Sequence, residues 1–359
     1  MKASNKFAMT SVSFLVASLW VATPAMAQVQ AQDLNQGQAG LLNKQSMDLG
    51  NTTGGGKAQV NAKNINQGQA GLLNNQQMSI GNANKGGKSN VNVSSVQQGQ
   101  AGLLNNQKMA IGNADKGKSD VKAGPVMQGQ AGLLNDQNMN LGSVSGTGST
   151  QVRTGAVLQG QAGLLNSQNM NLGGSSGNGK SNVTTGAVVQ GQAGLLQRQN
   201  MEVGSASGNG KSNVKAGALI QGQAGLLNNQ DMKIGNASGN GKSNVAVGAV
   251  VQGQAGLLNN QQLEVGNASG SGKSNVAVGA IVQGQAGLLN NQQAKIGNAS
   301  NGTSNVAVGA IVQGQAGLLN SQQVNVGNAN SGSTAVAAGA IVQGQAGLLN
   351  AQKINLGNN

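Results

Sequence analysis

The eight residues QGQAGLLN occupy positions 36–43, and the same sequence returns ten more times with one letter changed, at Gln197. Successive copies lie 30 or 31 residues apart. Self-similarity at a fixed period indicates an array of one supersecondary unit, in which each unit buries its apolar face against its neighbours. The sequence therefore predicts ten full repeats and a C-terminal half-repeat rather than a set of globular domains.

Within a repeat, the apolar residues recur every second position. On a helix such positions would be scattered around all faces, whereas on a strand they share one face. Two glycines in each motif would also destabilise a helix by about 1 kcal/mol each relative to alanine. The pattern favours strands over helical repeats, and it predicts one buried face that holds Val276, Val278, Ala280, Val282, Gly284, Ala286, Leu288, Ala294 and Ile296.

Two strands and a bend account for each repeat. A valine seven residues before each motif, such as Val276, opens the first strand. The second strand runs from a recurrent glutamine through two apolar positions to a glycine, as in Gln292 to Gly297. Segments rich in Gly, Asn and Ser, with Asn-Gly pairs such as Asn240 and Gly241, are typical of tight turns. The predicted fold is all-β, a cross-β, amyloid-like β-solenoid with one strand-bend-strand unit per repeat.

Stacked repeats place identical residues above one another at about 4.8 Å, so the array forms a rod on the order of 50 Å long. Identical glutamines can then form hydrogen bonds along the axis, while we expect the leucines to interdigitate inside. The first of the two glutamine rows below can instead be solvated, whereas the second shares its parity with the apolar positions that follow it and is therefore expected to be buried or half-buried. The predicted structural rows are Gln36, Gln67, Gln98, Gln128, Gln159, Gln190, Gln221, Gln252, Gln283, Gln313 and Gln343, with Gln45, Gln76, Gln107, Gln137, Gln168, Gln199, Gln230, Gln261, Gln292, Gln322 and Gln352.

Residues 1–27 have the form of a secretory signal peptide: Lys2 and Lys6, an apolar run, and an A-x-A cleavage site after Ala27. The predicted mature chain is the solenoid, residues 28–359, without a membrane span. Its localisation is predicted to be extracellular, on the surface of a Gram-negative-type bacterium.

The predicted mature chain lacks Cys, His and all aromatic residues, because Phe7, Phe14 and Trp20 lie in the signal segment. Thiol chemistry, imidazole base catalysis and base stacking are therefore excluded, and we predict no cofactor, no metal and no enzymatic activity. The whole chain carries a net charge of +13, and removal of Lys2 and Lys6 lowers it to +11. That charge favours anionic partners such as acidic polysaccharide or extracellular DNA, and it also keeps a repetitive chain soluble.

The motif resembles the curlin repeats of bacterial curli, which carry Gln-x-Gly-x-x-Asn between two strands. Gln38, Gly40 and Asn43 match this pattern, as do the equivalent residues of most later copies. The resemblance implies a subunit of an extracellular functional amyloid that polymerises with itself and uses outer-membrane secretion and nucleation partners. The repeat departs from curlin in its longer loop and in Gln32, which stands where curlin has Ser.

Three short motifs suggest chemistry that their context does not support. Gly174, Gly179, Lys180 and Ser181 have P-loop spacing, but a strand pattern follows them instead of a helix. The N-x-[ST] sequons, such as that at Asn51, fall in loops rich in Asn and Ser. The acidic residues occupy different offsets in different repeats, unlike those of calcium-binding solenoids.

Three functions remain open from the sequence. The first is self-assembly into extracellular cross-β fibres of a biofilm matrix or surface adhesin. The second is a monomeric solenoid that binds polysaccharide, DNA or another ligand along one face. The third, an enzyme, is disfavoured because the acids are scattered.

Overall fold

The computed structural model describes residues 26–42, 45–50, 52, 55–73, 75–83, 86–104, 106–133 and 136–357. These residues form an all-β solenoid of about ten coils with no helix. The strands are β1 Met26–Leu42, β2 Gln45–Asp48, β3 Lys57–Leu73, β4 Gln76–Ser79, β5 Lys88–Ala101, β6 Gln107–Ala110, β7 Lys118–Ala123, β8 Val126–Ala131, β9 Gln137–Leu141, β10 Ser149–Thr154, β11 Val157–Ala162, β12 Leu165–Leu172, β13 Lys180–Val203, β14 Lys211–Ile234, β15 Lys242–Ala255, β16 Leu258–Val265, β17 Ala268–Ser269, β18 Lys273–Ala286, β19 Leu289–Ile296, β20 Ala299–Ser300, β21 Thr303–Ala316, β22 Leu319–Val326, β23 Ala329–Asn330, β24 Ser333–Ala346 and β25 Leu349–Leu356.

The coils stack in parallel with each residue beside its own equivalent. Lys242 of β15 pairs with Lys273 of β18, and this register continues to Ala255 and Ala286. The second strands follow the same rule, so that Gln261 of β16 pairs with Gln292 of β19. The predicted fold class is therefore confirmed. Most of the predicted signal segment lies outside the described residues, and β1 begins at Met26.

Most coils contain a long first strand and a shorter second strand, and in two coils the two halves join into the single strands β13 and β14. In two early coils the first strand is interrupted, by Gly124 and Pro125 between β7 and β8 and by Gly155 and Ala156 between β10 and β11. Proline has no N–H to donate to a neighbouring strand, which accounts for the first interruption. From β13 onward the first strand continues without a break.

The interior is a continuous apolar core. The valine that opens the first strand is buried in every coil from Val60 to Val306. The middle of the second strand stacks Met78, Met109, Met139, Met170, Met201, Met232, Leu263, Ala294 and Val324, all nearly inaccessible to solvent. A buried serine or threonine near the start of the first strand donates a hydrogen bond to the glycine carbonyl that ends an earlier second strand, as Ser243 does to Gly204. This contact closes the coil.

The predicted single face is wrong in the middle of the first strand. Val276 and Val278 are buried, but the alternation then shifts by one residue, so that Ile281, Gln283 and Gln285 point inward. Val282 and Ala286 lie on the outer surface instead. The shift occurs at Gly279 and Ala280, where the strand passes between its two halves.

Close approach between coils explains the glycine at this shift. A Cβ atom on Gly279 would overlap the carbonyl oxygen of Gly248 in the preceding coil, and the same overlap would occur at Gly248 against Gly217. The loops require a second kind of glycine, because the turn residue has a positive φ. That residue is Gly239 in one coil (φ 61°), directly before Asn240 and Gly241, whereas in a later coil it is Asn301 (φ 60°), the asparagine of the pair Asn301–Gly302.

Alanine substitution at two glycines of one strand tests the close backbone contact at the shift. We expect Gly279→Ala to lower the free energy of unfolding by about 1–3 kcal/mol, because the new methyl group must displace a neighbouring strand. Gly284→Ala is the matched control in the same strand, since a Cβ there has open space around it. It should be neutral or stabilise by up to about 1 kcal/mol. Chemical denaturation of both variants checks this, and equal effects would contradict the close packing.

Candidate functional site

The most distinctive chemical feature of the solenoid is a set of buried side-chain amides bonded along the axis. The first glutamine of each motif forms one row, which we call the first glutamine row. In it, Nε2 of Gln67 donates to Oε1 of Gln36 at 2.8 Å. The row continues without interruption to Gln343, which donates to Gln313 at 2.9 Å. Between these ends the glutamines are buried.

The other predicted row lies on the second strand of each coil. We call it the third glutamine row, because a further row lies between it and the first. Nε2 of Gln137 donates to Oε1 of Gln107 at 3.1 Å, and the row reaches Gln352, which donates to Gln322 at 3.1 Å. The backbone of Gln45 pairs with that of Gln76, but the side chains of both lie outside the described residues. In the stack these amides share the inward face with the methionine row, as their parity predicts.

Sequence reasoning did not single out the row between these two, the second glutamine row. Its amides carry two bonds each: Nε2 of Gln254 donates to Oε1 of Gln223 at 3.0 Å and to the carbonyl oxygen of Asn260 at 3.0 Å. The first bond links coils, and the second spans the bend within one coil. The signal was present in the sequence, because the two glutamines of each QGQ are two residues apart and therefore share a face.

A row of buried asparagines lies at the bend, and its hydrogen bonds run along the axis in the direction opposite to those of the glutamine rows. Nδ2 of Asn228 donates to Oδ1 of Asn259 at 2.9 Å, and the row continues to Asn320, which donates to Asn350 at 2.9 Å. The glutamine rows donate from each coil to the preceding one, whereas this row donates to the following one. The amides of a coil therefore present both donors and acceptors to the next coil.

The described asparagine row begins at Asn228, and Gln197 stands at the position before it. It occupies the position of Asn228 one coil earlier, and its Nε2 donates to the carbonyl oxygen of Ala224 at 2.8 Å. Oε1 of Gln197 and Oδ1 of Asn228 are both buried without a hydrogen-bond partner. The single letter that changes in the repeat thus leaves two buried acceptors unpaired.

Restoring asparagine at this position should stabilise the solenoid. In Gln197→Asn, Nδ2 can reach Oδ1 of Asn228, and one buried hydrogen bond contributes about 1 kcal/mol. The converse variant, Asn259→Gln, places a glutamine in an intact part of the row and should destabilise by a similar amount. Denaturation midpoints measure both variants; a midpoint that does not rise for Gln197→Asn would contradict the proposed pairing.

The outer surface carries leucines that the sequence analysis placed inside. In the coils before the last, the leucines of the AGLL bends whose exposure is described are about two-fifths exposed, for example Leu257 at 44% and Leu258 at 41%. The expectation that they interdigitate in the core is therefore wrong. The interior positions at the bend are occupied by the glutamine and asparagine amides, and these leave the leucines on the outside.

A row of lysines runs along the start of the first strands. The strand register places Lys180 beside Lys211, Lys211 beside Lys242, and Lys242 beside Lys273. Lys57, Lys88 and Lys118 occupy the same position in earlier coils. All of these lysines are exposed. The two ion pairs found among the described residues, Lys233 with Asp231 and Lys295 with Glu264, lie elsewhere.

The acidic residues form no metal-binding cluster in the described part of the chain. No group of three or more His, Cys, Asp or Glu residues there could hold a metal ion. Burial raises the pKa of the Asp231 carboxyl above its usual range, and the Lys233 ammonium opposes this. Burial likewise raises the pKa of Asp136. Lys180 of the P-loop-like sequence begins strand β13 rather than a helix.

No protein-family profile, curated protein sequence or solved structure matches this chain. Among the described residues, no helix is long and apolar enough to cross a membrane. The candidate site is accordingly defined by geometry: three buried glutamine rows, one buried asparagine row, an exposed leucine surface and a lysine row, all parallel to the solenoid axis.

Proposed function

We propose that this chain is a secreted structural protein that assembles end to end into extracellular amyloid-like fibres. The observation that carries the proposal is the state of the last described coil, Ser333–Leu356. Oε1 of Gln343 and Oε1 of Gln345 are buried there without a hydrogen-bond partner. In every earlier described coil of these two rows, the equivalent oxygen from Gln69 and Gln36 onward accepts a bond from the next coil.

The two ends of the described stack are complementary. In the first coil, Gln36 uses Oε1 to accept from Gln67, so its amide N–H groups are directed to the other side. If Gln36 of one chain stacked on Gln343 of another, the intrachain bond would be repeated with the same polarity. Because such a head-to-tail contact does not close on itself, it generates a filament rather than a ring.

The apolar core is also incomplete at that coil. Ile354 is 45% exposed and Leu356 58% exposed, whereas their equivalents one coil earlier, Val324 and Val326, are 0% and 6% exposed. Another coil would cover both side chains and pair the open strand edge. An uncovered edge of this kind is a template for pairing with another chain.

The resemblance to curlin repeats supports the biological setting of the proposal. A fibre of this kind would serve as biofilm matrix or surface adhesin, and it would require an outer-membrane secretion partner and a nucleating partner. The signal-like sequence of residues 1–27 is in keeping with export. Under this proposal the working residues are the axial amides, and the protein is not an enzyme.

The test compares neighbouring substitutions in the last described coil, using the chain from Gln28 to Asn359. Ile354→Lys places a charge on the inward face, where an added coil would bury it, and burying an unpaired charge is costly. Asn355→Lys adds the same charge to the outward face. We expect wild-type fibres with reflections at about 4.8 Å and 10 Å, and elongation at least about tenfold slower for Ile354→Lys than for Asn355→Lys.

Two outcomes would count against end-to-end assembly. A chain that stays monomeric under all conditions would exclude it outright. Fibres whose elongation responds equally to Ile354→Lys and Asn355→Lys would show that this coil is not the growing surface. Electron microscopy and seeded light-scattering kinetics provide both readouts.

The lysine row favours a second candidate function, the binding of a linear polyanion such as acidic polysaccharide or extracellular DNA. If the ammonium groups were as close as the backbones, about 5 Å, each neighbouring pair would repel by about 0.8 kcal/mol in water, and flexible side chains lower this by spreading apart. A polyanion lying along the row would relieve this repulsion and release counterions. The row could perform this function in a monomer or in a fibre.

Removing equal charge from two surfaces tests the second candidate. The triple variant Lys180→Gln, Lys211→Gln and Lys242→Gln should weaken binding of polygalacturonate or single-stranded DNA by at least about tenfold. The control triple Lys122→Gln, Lys215→Gln and Lys233→Gln, which lies off the row, should weaken it much less. Equal losses would show that net charge alone governs binding.

A further inference from the structure

The exposed leucines belong to a broader apolar surface that extends along the solenoid. In the coil around Gln283 it comprises Val282, Gly284, Ala286, Leu288 and Leu289, which all point outward or lie partly exposed. We call this surface, with its equivalents in other coils, the outer apolar face. Among the leucines whose exposure is described in the coils before the last, the exposed fraction stays between 39% and 45%. The face is therefore continuous along the axis rather than a set of isolated leucines.

An uninterrupted apolar surface of this size is unusual on a protein that acts alone. All five positions are apolar over the seven coils from Met127 to Val312, since Asn66 and Gln97 occupy the Val282 position in earlier coils. Over those coils the face spans roughly 20 Å along the strands and about 30 Å along the solenoid axis, or on the order of 600 Å². Monomeric soluble proteins rarely expose larger contiguous patches than a few hundred Å². Stable protein–protein interfaces bury about 600–1,000 Å² per partner, so the face reaches that range.

A groove runs along the outer apolar face beside the second leucine of each AGLL bend. It has a volume of about 1120 Å³ and runs along the axis between the second leucines and the outward side chains that follow them, such as Asn260 and Asn291. The leucines beside the groove recur once per coil. A partner that fills the groove along its length must therefore place its own side chains at the same spacing along the axis. A second copy of this chain has that spacing.

The charges also favour a second copy. The residues that line the groove from Leu227 to Ala351 are all uncharged, and the charged side chains at the groove, Asp136 and Arg198, are confined to earlier coils. Two mature chains, each with a net charge of +11 once Lys2 and Lys6 are removed, repel one another. Contact through this neutral face keeps the lysine row out of the interface.

We propose that two copies of the solenoid pair laterally through their outer apolar faces, with leucines of each entering the groove of the other. This inference rests on the proposed function only for its fibre form: in a fibre it produces two filaments side by side, and in solution it produces a dimer. It uses a different surface from end-to-end stacking, so the two contacts can be disrupted separately.

The test adds the same charge to two surfaces of the same three coils. The face variant carries Leu226→Lys, Leu257→Lys and Leu288→Lys, and the control carries Ser238→Lys, Ser269→Lys and Ser300→Lys in the exposed loops. We expect wild-type and control fibres to have twice the mass per unit length of face-variant fibres. A third variant, Leu226→Ser, Leu257→Ser and Leu288→Ser, adds no charge and should also give single filaments.

Mass per unit length comes from scanning transmission electron microscopy, and sedimentation of unassembled protein reports the dimer. Circular dichroism verifies that each variant keeps its β-structure. Single filaments from the wild type, or equal mass per length in all variants, would overturn lateral pairing while leaving end-to-end assembly intact. Dimers that depend on the leucines, without any fibres, would support pairing and refute the fibre. Binding of the face to phosphatidylcholine vesicles by a protein that stays monomeric would overturn pairing.

Discussion

A buried amide must find hydrogen-bond partners, and this constraint governs the whole solenoid. Leaving one buried amide group unpaired costs about 1–3 kcal/mol. In every coil from that of Gln98 to that of Gln322, three glutamines point into the interior, so the cost would recur with each of these repeats. An identical glutamine one coil away supplies both a donor and an acceptor at the right height. The repetition of the sequence is therefore a requirement of the interior and not only a record of duplication.

Register follows from the same constraint. A shift of one residue would turn Gln252 and Gln254 outward and bring Val251 and Ala255 inward, which would unpair two amide rows at once. The glycines fit this arrangement, because Gly248 and Gly279 allow the backbones of adjacent coils to approach where the strand shifts its inward face. The leucines are displaced to the outside as a result. A core built from amides at the bend thus creates an apolar exterior, and the same feature accounts for both proposed contacts between chains.

Much of this fold could be predicted from the sequence, because a period of two inside a period of 31 residues leaves few alternatives to a stacked strand. The parity of Gln261 with Leu263 and Val265 correctly places that glutamine among buried side chains. The inward turn of Ile281 could not be predicted, since the shift at Gly279 depends on contact with the preceding coil. The prediction that the leucines lie inside is wrong for a related reason. Hydrophobicity indicates which residues gain from burial, but amide pairing decides which residues occupy the interior here.

Hydrogen exchange of side-chain amides tests the axial hydrogen bonding most directly. Gln97 and Gln98 are neighbours in strand β5; Gln97 is exposed, whereas Gln98 is 4% exposed and donates to Gln67 at 2.8 Å. Nuclear magnetic resonance can follow the Nε2 protons of both residues in one sample. Axial bonding predicts that the Gln98 amide exchanges at least about 100-fold more slowly than the Gln97 amide. Equal exchange rates for the two amides would contradict a hydrogen-bonded interior row.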